Sequence, residues 1–398
     1  MASAIQFLYE ANMKNYIIPI FIPHYGCPHT CVFCNQRKIT GIQTDVTQEF
    51  IQNTIEYHLN RIQGNKFIEV AFYGGSFTAL PLSLQIKLLE PAYLYVQAKK
   101  INSLRISTRP DCITNDILDN LAVFGVETIE LGAQSFDDVI LAQSERGHTV
   151  TDIIRAAELV RAHGFHLGIQ LMPGLPGDTW QTIMASLSHT IALCPDFVRI
   201  YPTLVLIQTQ LAQLYKNGDY QPLTLQKAIQ YATLMKLTFI RHDIKVIRIG
   251  LQASKQLDDG ETILAGPYHP AFGELVDSYL FKIQIDQLLE RLPSQYGEII
   301  LHHHPKDTSK VRGNKNCNLV SWYKEYHLKN VILKQDLEIL NHIIVEFQNI
   351  KYSLNSDLLV IAIFQLLDGC PPENVQLRKD IIVAARHFVS SDFRTCKL

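Results

Sequence analysis

Tyr25-Gly-Cys-Pro-His-Thr-Cys-Val-Phe-Cys-Asn35 places three cysteines, Cys27, Cys31 and Cys34, on one short segment with the spacing C-x3-C-x2-C. Thiolates hold iron–sulfur clusters, usually four to a cluster. Three with no fourth nearby leave one iron for a ligand that is not protein. A structural zinc site is instead closed by four protein ligands, and His24 or His29 would supply the fourth, so the segment read alone admits both metals. The other five cysteines, Cys112, Cys194, Cys317, Cys370 and Cys396, are scattered without a pairing pattern. Few cysteines in a long chain, with no secretory start, predict a reducing compartment.

The 398 residues are 47% hydrophobic and 19% charged, a globular profile with room for one large or two medium domains. A formal charge of −2 gives no global pull toward nucleic acid or anionic lipid. Lys310, Arg312 and Lys315 read either as a local basic patch or as a solvated loop. The apolar stretch Tyr16–Pro23 is broken by proline and lacks a cleavage site. Leu358–Leu367 is about half the length that crosses a bilayer. A soluble, cytoplasmic protein without membrane attachment is expected.

From the cysteine segment to about residue 205, short apolar runs alternate with longer amphipathic stretches, the pattern of βα units around a parallel sheet. Strands are predicted at Tyr16–Ile22, Ile68–Tyr73, Ser103–Ser107, Thr128–Gly132, His166–Met172 and Phe197–Tyr201. Helices are predicted at Gln48–Asn60, Leu82–Lys99, Asn115–Phe124, Thr151–His163 and Thr179–Leu193. In such folds chemistry sits on the loops after the strands. Cys27, Gly74-Gly75-Ser76-Phe77, Ser107-Thr108-Arg109-Pro110-Asp111, Ala133-Gln134-Ser135 and Pro173–Gly177 all fall there. Pro173–Gly177 lacks the Gly-Lys-Ser/Thr ending of a Walker loop.

Beyond the cysteines, the chain reads Phe72-Tyr-Gly-Gly-Ser-Phe-Thr-Ala-Leu-Pro81, Glu130-Leu-Gly-Ala-Gln-Ser-Phe136, Glu145-Arg-Gly-His-Thr149 and Gln170-Leu-Met-Pro-Gly-Leu-Pro-Gly177. With Ser107–Asp111, these phrases over roughly residues 15–280 resemble the radical S-adenosylmethionine (radical SAM) enzymes. Within that superfamily they are similar to the radical SAM module of the Elongator catalytic subunit and its short bacterial relatives, and more distantly to oxygen-independent coproporphyrinogen oxidase.

The resemblance implies an α/β fold, a partial TIM-type (β/α)6 barrel with an α/β and helical C-terminal extension. Residues 1–254 would form the core, 255–334 the extension of the radical SAM module and 335–398 a mostly helical tail. It implies a [4Fe-4S] cluster on Cys27, Cys31 and Cys34, with S-adenosylmethionine on the remaining iron. Reductive cleavage then yields a radical that attacks an unreactive C–H bond, the cofactor doing the chemistry while the protein positions and shields it. Partners implied are a reducing donor of flavodoxin or ferredoxin type and a substrate for which RNA is a candidate.

The same resemblance places Phe33 by the adenine and Gly74, Gly75 and Ser76 at the SAM amino group. Many relatives carry an acid at the position of Ser76. Gln134 is assigned to the ribose and Arg146 to the carboxylate, where a guanidinium fork fits. Their alternatives are loop packing for Phe33, a strand-end amide for Gln134 and a surface ion pair with Glu145 for Arg146. Arg109 and Asp111 read as bracing or as substrate contacts. Tyr268, His269 and Glu274 are the catalytic candidates at the substrate mouth, on a turn running into a helix, and residues 255–290 are expected to cover the open side of the barrel. Val246–Gln252 reads as another strand, and residues 296–334 as strand, helix and strand. His302-His303-His304 would alternate faces on an extended chain, which disfavours a three-histidine metal site.

No Gln/Arg-x-x-Gly-x-Gly/Ala pattern for acetyl-CoA occurs, which sets acetyl transfer aside as the expected activity. Outside radical catalysis, the alternatives are an iron–sulfur electron carrier and a non-catalytic SAM-binding protein. Within it, the runner-up is a coproporphyrinogen-oxidase-like enzyme, against which stands Gly-Gly-Ser-Phe-Thr in place of Gly-Gly-Gly-Thr-Pro.

Overall fold

The computed structural model describes residues 14–22, 26–35, 46–252, 255–258, 260, 262–292, 297–339 and 343–353. The alternation predicted from periodicity is present: β1 (Lys14–Phe21), α1 (Gln48–Leu59), β2 (Lys66–Tyr73), α2 (Leu82–Gln97), β3 (Ser103–Thr108), α3 (Asn115–Val123) and β4 (Val126–Gln134). It continues through α4 (Asp138–Gln143), α5 (Val150–Ala162), β5 (His166–Leu171), α6 (Trp180–Ala192) and β6 (Phe197–Ile200). After these come β7 (Val205–Leu206), α7 (Gln210–Asn217), α8 (Leu225–Arg241), β8 (Lys245–Ile249) and β9 (Ile263–Ala265).

Threonine decides where many of these helices begin. Thr47, Thr114, Thr149, Thr179 and Thr209 each precede a helix and accept a hydrogen bond from an N–H of its first turn, satisfying a donor that has no partner within the helix.

The strands form one seven-stranded parallel sheet in the order β1-β2-β3-β4-β5-β6-β8, the last being the further strand expected at Val246–Gln252. Parallel neighbours need crossover connections, which the helices supply, and all strand C-termini therefore reach one rim. The result is the partial TIM-type barrel. Ile18, Ile20, Val70, Phe72, Leu104, Ile106, Ile129, Leu131, Leu167, Ile169, Val198 and Ile200 are buried, as expected of parallel strands covered on both faces. β7 and β9 pair antiparallel as a separate small ribbon.

The described chain falls into two compact units. One runs to Ala228 and resumes over His242–Pro270; the other holds Ile229–Arg241 and continues from Ala271. The units thus divide elsewhere than at 254/255. The reason lies in α8, whose Gln230 Nε2 donates to Tyr279 Oη at 3.3 Å and whose Lys236 pairs with Asp277, both partners on α9 (Phe272–Leu289).

The second unit continues with β10 (Glu298–His303), α10 (Thr308–Arg312), α11 (Cys317–Glu325), β11 (Asn330–Gln335), β12 (Ile344–Phe347) and β13 (Ile350–Ser353), in sheet order β11-β10-β12-β13. Ile285, Leu288, Ile299, Leu301, Val311, Trp322, Val345 and Phe347 make its core. Where a helical tail is expected from 335, residues 344–353 form a β hairpin instead. Its turn residues Gln348 and Asn349 both have positive φ, 49° and 64°, the geometry that tight hairpins require. Residues 354–398 lie outside the described part. No helix among the described residues is long and apolar enough to cross a membrane.

Candidate metal and cofactor site

The cysteine segment follows β1 at the C-terminal rim of the sheet. Cys31 is buried, Cys34 half-buried and Cys27 exposed, and Cys34 N donates to Cys31 O at 3.0 Å, closing a turn that holds these two thiols on one short arc. Gly26 makes the approach to the next loop possible: at φ +73° it lies so close to Ser76 that an added Cβ would stand 2.2 Å from the Ser76 carbonyl oxygen. No L side chain fits there. Ser76 is buried and its Oγ lies 3.6 Å from Cys27 Sγ, so the loop after β2, with Gly74 at φ 93° and Gly75 beside it, directly abuts the first cysteine.

The segment after α4 closes the other side. Val32 N donates to Ser144 O at 3.3 Å, and a Cβ on Gly147 would strike the His29 ring at 2.4 Å. Arg146 is only 7% exposed. Its Nη1 donates to Cys31 Sγ at 3.0 Å and its Nη2 to Gly132 O at 2.7 Å. The surface pair with Glu145 is absent; Glu145 Oε1 accepts from Gln210 at 2.7 Å. Arg109 braces Asp111 through two contacts of 3.0 and 3.1 Å and donates to the Arg146 carbonyl. The pair thus makes the contacts that bracing requires. His148 is buried, and burial, then the Arg146 and Arg109 charges, push its pKa down to about 3, so it is neutral.

Gln134 ends β4 at φ 70°, just past a bulge at Leu131–Gln134. Its Oε1 accepts from Gln170 Nε2 at 3.0 Å, which fixes the amide on the rim. Phe33 packs, partly buried, against Val32, Val205, Leu211, Ala212 and Tyr220. Tyr268 donates to Asp258, and its phenol is held above its ordinary pKa by burial and by that carboxylate. His269 is half-buried beside it in the first unit, while Glu274 is exposed in the first turn of α9 in the second. His302 pairs with Glu346 at 2.7 Å and His303 donates to the His304 carbonyl at 2.9 Å, so the three histidines are spent separately.

Sequence reasoning missed a polar network inside the sheet. Arg105 on β3 bridges Glu69 on β2 at 2.6 Å and Glu130 on β4 at 2.8 Å. Arg199 on β6 reaches Glu130 at 2.7 Å, Tyr73 Oη at 2.6 Å and Tyr201 Oη at 3.1 Å. Burial, then the Glu130 charge, raises the Tyr73 phenol well above its ordinary value. Charged residues at strand-interior positions 69, 105, 130 and 199 were the available signal.

Among the described residues, no three His, Cys, Asp or Glu side chains converge as a ready set for one metal ion. A four-iron cluster takes each thiolate at a different iron, so its ligands need not meet at one point. Three thiols on one loop, seated on Ser76 and bonded by a guanidinium at the buried sulfur, fit that larger group.

The Radical SAM superfamily pattern matches residues 21–189, and the Radical SAM C-terminal domain matches 195–282. A Methanocaldococcus jannaschii protein of undescribed function is 32% identical over 226 residues, 53% of this chain and 68% of that one. The chain belongs to the radical SAM superfamily. This superfamily uses a [4Fe-4S] cluster and S-adenosylmethionine, and it is one of enzymes.

This radical SAM chain is Elongator-like. It is 30% identical over 307 residues to the tRNA uridine(34) acetyltransferase of M. jannaschii, covering 67% of this chain and 56% of that one. It is 29% identical over 250 residues to human Elongator complex protein 3, covering 52% and 46%. The chain thus spans about half the length of these relatives. The solved structure of N-terminally truncated Elp3 from Methanocaldococcus infernus matches in fold, with a TM-score of 0.56 at 24% identity over 68% of this chain and 63% of that one. A Tra1 HEAT repeat central region pattern also matches 333–396; HEAT repeats are helical, and the described part of that range is largely strand, so no function is drawn from it.

Proposed function

We propose that the chain reductively cleaves S-adenosylmethionine at a [4Fe-4S] cluster held by Cys27, Cys31 and Cys34, and directs the resulting chemistry at a nucleoside of tRNA. The observation that carries the reading is the seating of the cysteine loop between Gly26–Ser76 and Ser144–Gly147. Cluster and SAM, when bound, supply a 5′-deoxyadenosyl radical. The chain's own residues position and shield. The Gly74–Ser76 backbone offers carbonyls to an ammonium group, and Gln134, locked by Gln170, presents a fixed amide at the rim. Arg109, braced by Asp111, holds the Arg146 carbonyl. Tyr268 and His269 are candidates for the substrate mouth. A flavodoxin or ferredoxin is the fitting electron donor. The tRNA assignment is drawn from the Elongator-like relatives.

The test is anaerobic reconstitution followed by incubation with SAM, dithionite and bulk tRNA. Release of 5′-deoxyadenosine and a mass change in the digested nucleosides are expected. A fully loaded protein that releases no 5′-deoxyadenosine overturns the cleavage; release without any nucleoside change overturns the tRNA assignment.

A further inference from the structure

We propose that Arg146 is a positioning residue acting on the cluster through Cys31, and that its charge raises the cluster's reduction potential. This rests on the assignment of the cluster to the three cysteines.

Arg146 and Cys31 are 115 positions apart in the chain, yet Nη1 and Sγ are 3.0 Å apart. Both residues are 7% exposed. The contact is not an isolated side-chain encounter. Val32 N is bonded to Ser144 O, the His29 ring lies on Gly147, and the Arg146 carbonyl is held by the Asp111-braced Arg109. The first two fix the cysteine segment against residues 144–147, and the third ties Arg146 to the loop after β3. The guanidinium is therefore delivered to the one buried thiol of the set, while Cys27 is open to solvent.

A cluster that accepts an electron gains a negative charge. Its potential follows the net charge nearby, the hydrogen bonds to its sulfurs and its exposure to water. A cation donating to a ligating sulfur stabilises the reduced form most where water does not screen it. Arg146 meets all three conditions at Cys31. Its fork is also unsuited to clamping a carboxylate as it stands. Nη1 faces sulfur and Nη2 a carbonyl, whereas bidentate recognition needs two adjacent N–H groups directed at the anion. Nε is buried and has no hydrogen-bond partner, so the guanidinium is held by its two outer nitrogens.

The experiment uses the full chain, reconstituted anaerobically, as wild type and as Arg146→Lys, Arg146→Gln and Arg146→Leu. Iron and sulfide content are measured first, then the midpoint potential by EPR-monitored titration, and separately SAM affinity by equilibrium dialysis. Arg146→Leu should lower the reduction equilibrium at least tenfold, 59 mV more negative for one electron. Arg146→Gln should fall nearly as far and Arg146→Lys should fall less, because it keeps the charge. Should Arg146→Leu fail to load, the Lys and Gln pair makes the same comparison of charge kept against charge removed. An unchanged potential with weakened SAM binding overturns the proposal and gives the guanidinium to the SAM carboxylate. A wild-type protein that takes up no cluster refutes instead the assignment on which the proposal stands.

Discussion

The two sheets of this protein are filled differently. The four-stranded sheet of the second unit closes on Ile299, Leu301, Trp322, Val345 and Phe347. The seven-stranded sheet has a comparable apolar core, but Glu69, Arg105, Glu130 and Arg199 also cross-link its strands. Burying ions costs several kcal/mol each, and their mutual attraction often no more than offsets it. A plain hydrophobic filling would hold a sheet together as well. The four-stranded sheet has only the His302–Glu346 pair between β10 and β12 as a counterpart among the described residues, whereas the linked Arg–Glu network occurs in the sheet whose rim carries the cysteine loop.

The largest test of that contrast is metal content. Cys27→Ala should abolish the cluster of about four irons and its visible absorbance, while Cys112→Ala and Trp322→Ala, measured in the folded protein, should keep it. Iron retained in Cys27→Ala would break the assignment. Next in size are the two kinds of filling. Leu301→Ala, a fully buried apolar truncation in the same core, should destabilise by about 2–5 kcal/mol through lost packing, and denaturant titration should find that loss indifferent to pH. Arg105→Met should cost a similar ~3–5 kcal/mol by leaving Glu69 and Glu130 short of a partner. That loss should shrink in acid, where protonation relieves the unpaired carboxylates. Equal pH behaviour of the two variants would erase the distinction.

Gly26→Ala acts more locally. A left-handed φ costs an L residue roughly 1–2 kcal/mol, and the Ser76 carbonyl must also give way. The expected result is reduced iron uptake with a nearly unchanged thermal midpoint. The most gradual effect is the pH dependence near the site. His148, with a folded pKa of about 3 against an ordinary 6.5, refuses a proton that the unfolded chain accepts. Its contribution to stability is therefore lost as pH falls from 6.5 toward 3, by at most about 1.4 kcal/mol per unit. Asp178 runs the other way: burial lifts its pKa from 3.8 to about 6, so it loses stability as pH rises through that window. His148→Gln should thus gain on wild type as pH drops below 6.5, whereas Asp178→Asn should gain as pH rises from 4 to 6.

The barrel was legible because parallel strands and amphipathic helices impose different periods, and the threonine caps mark where one yields to the other. The hairpin at 344–353 was not, since short apolar alternation next to a long helical period is easily absorbed into it. Among site residues, the sequence places Cys27 and Ser76 on loops after successive strands, and the structure brings those loops together. The resemblance assigns Arg146 to the SAM carboxylate, with a surface pair to Glu145 as the alternative, whereas the partner its Nη1 finds is Cys31, 115 positions away. The ion network likewise depends on strands that are adjacent only in the sheet. Nothing in a linear reading shows which of Glu69, Arg105, Glu130 and Arg199 will meet.

The strand order also bears on when a cluster can be installed. β1, which delivers the cysteines, is an edge strand and the first to leave the ribosome, and the sheet then adds strands in the order of synthesis up to β6. Ser76 reaches the cysteine loop only after β2, and Arg146 only after β4. A cluster inserted on the nascent loop would have neither the Ser76 seat nor the guanidinium at Cys31, and its sulfurs would be open to oxygen. The walls around the cysteine loop are therefore complete only once the chain has been made through Gly147, and a cluster loaded before that point would meet only part of them.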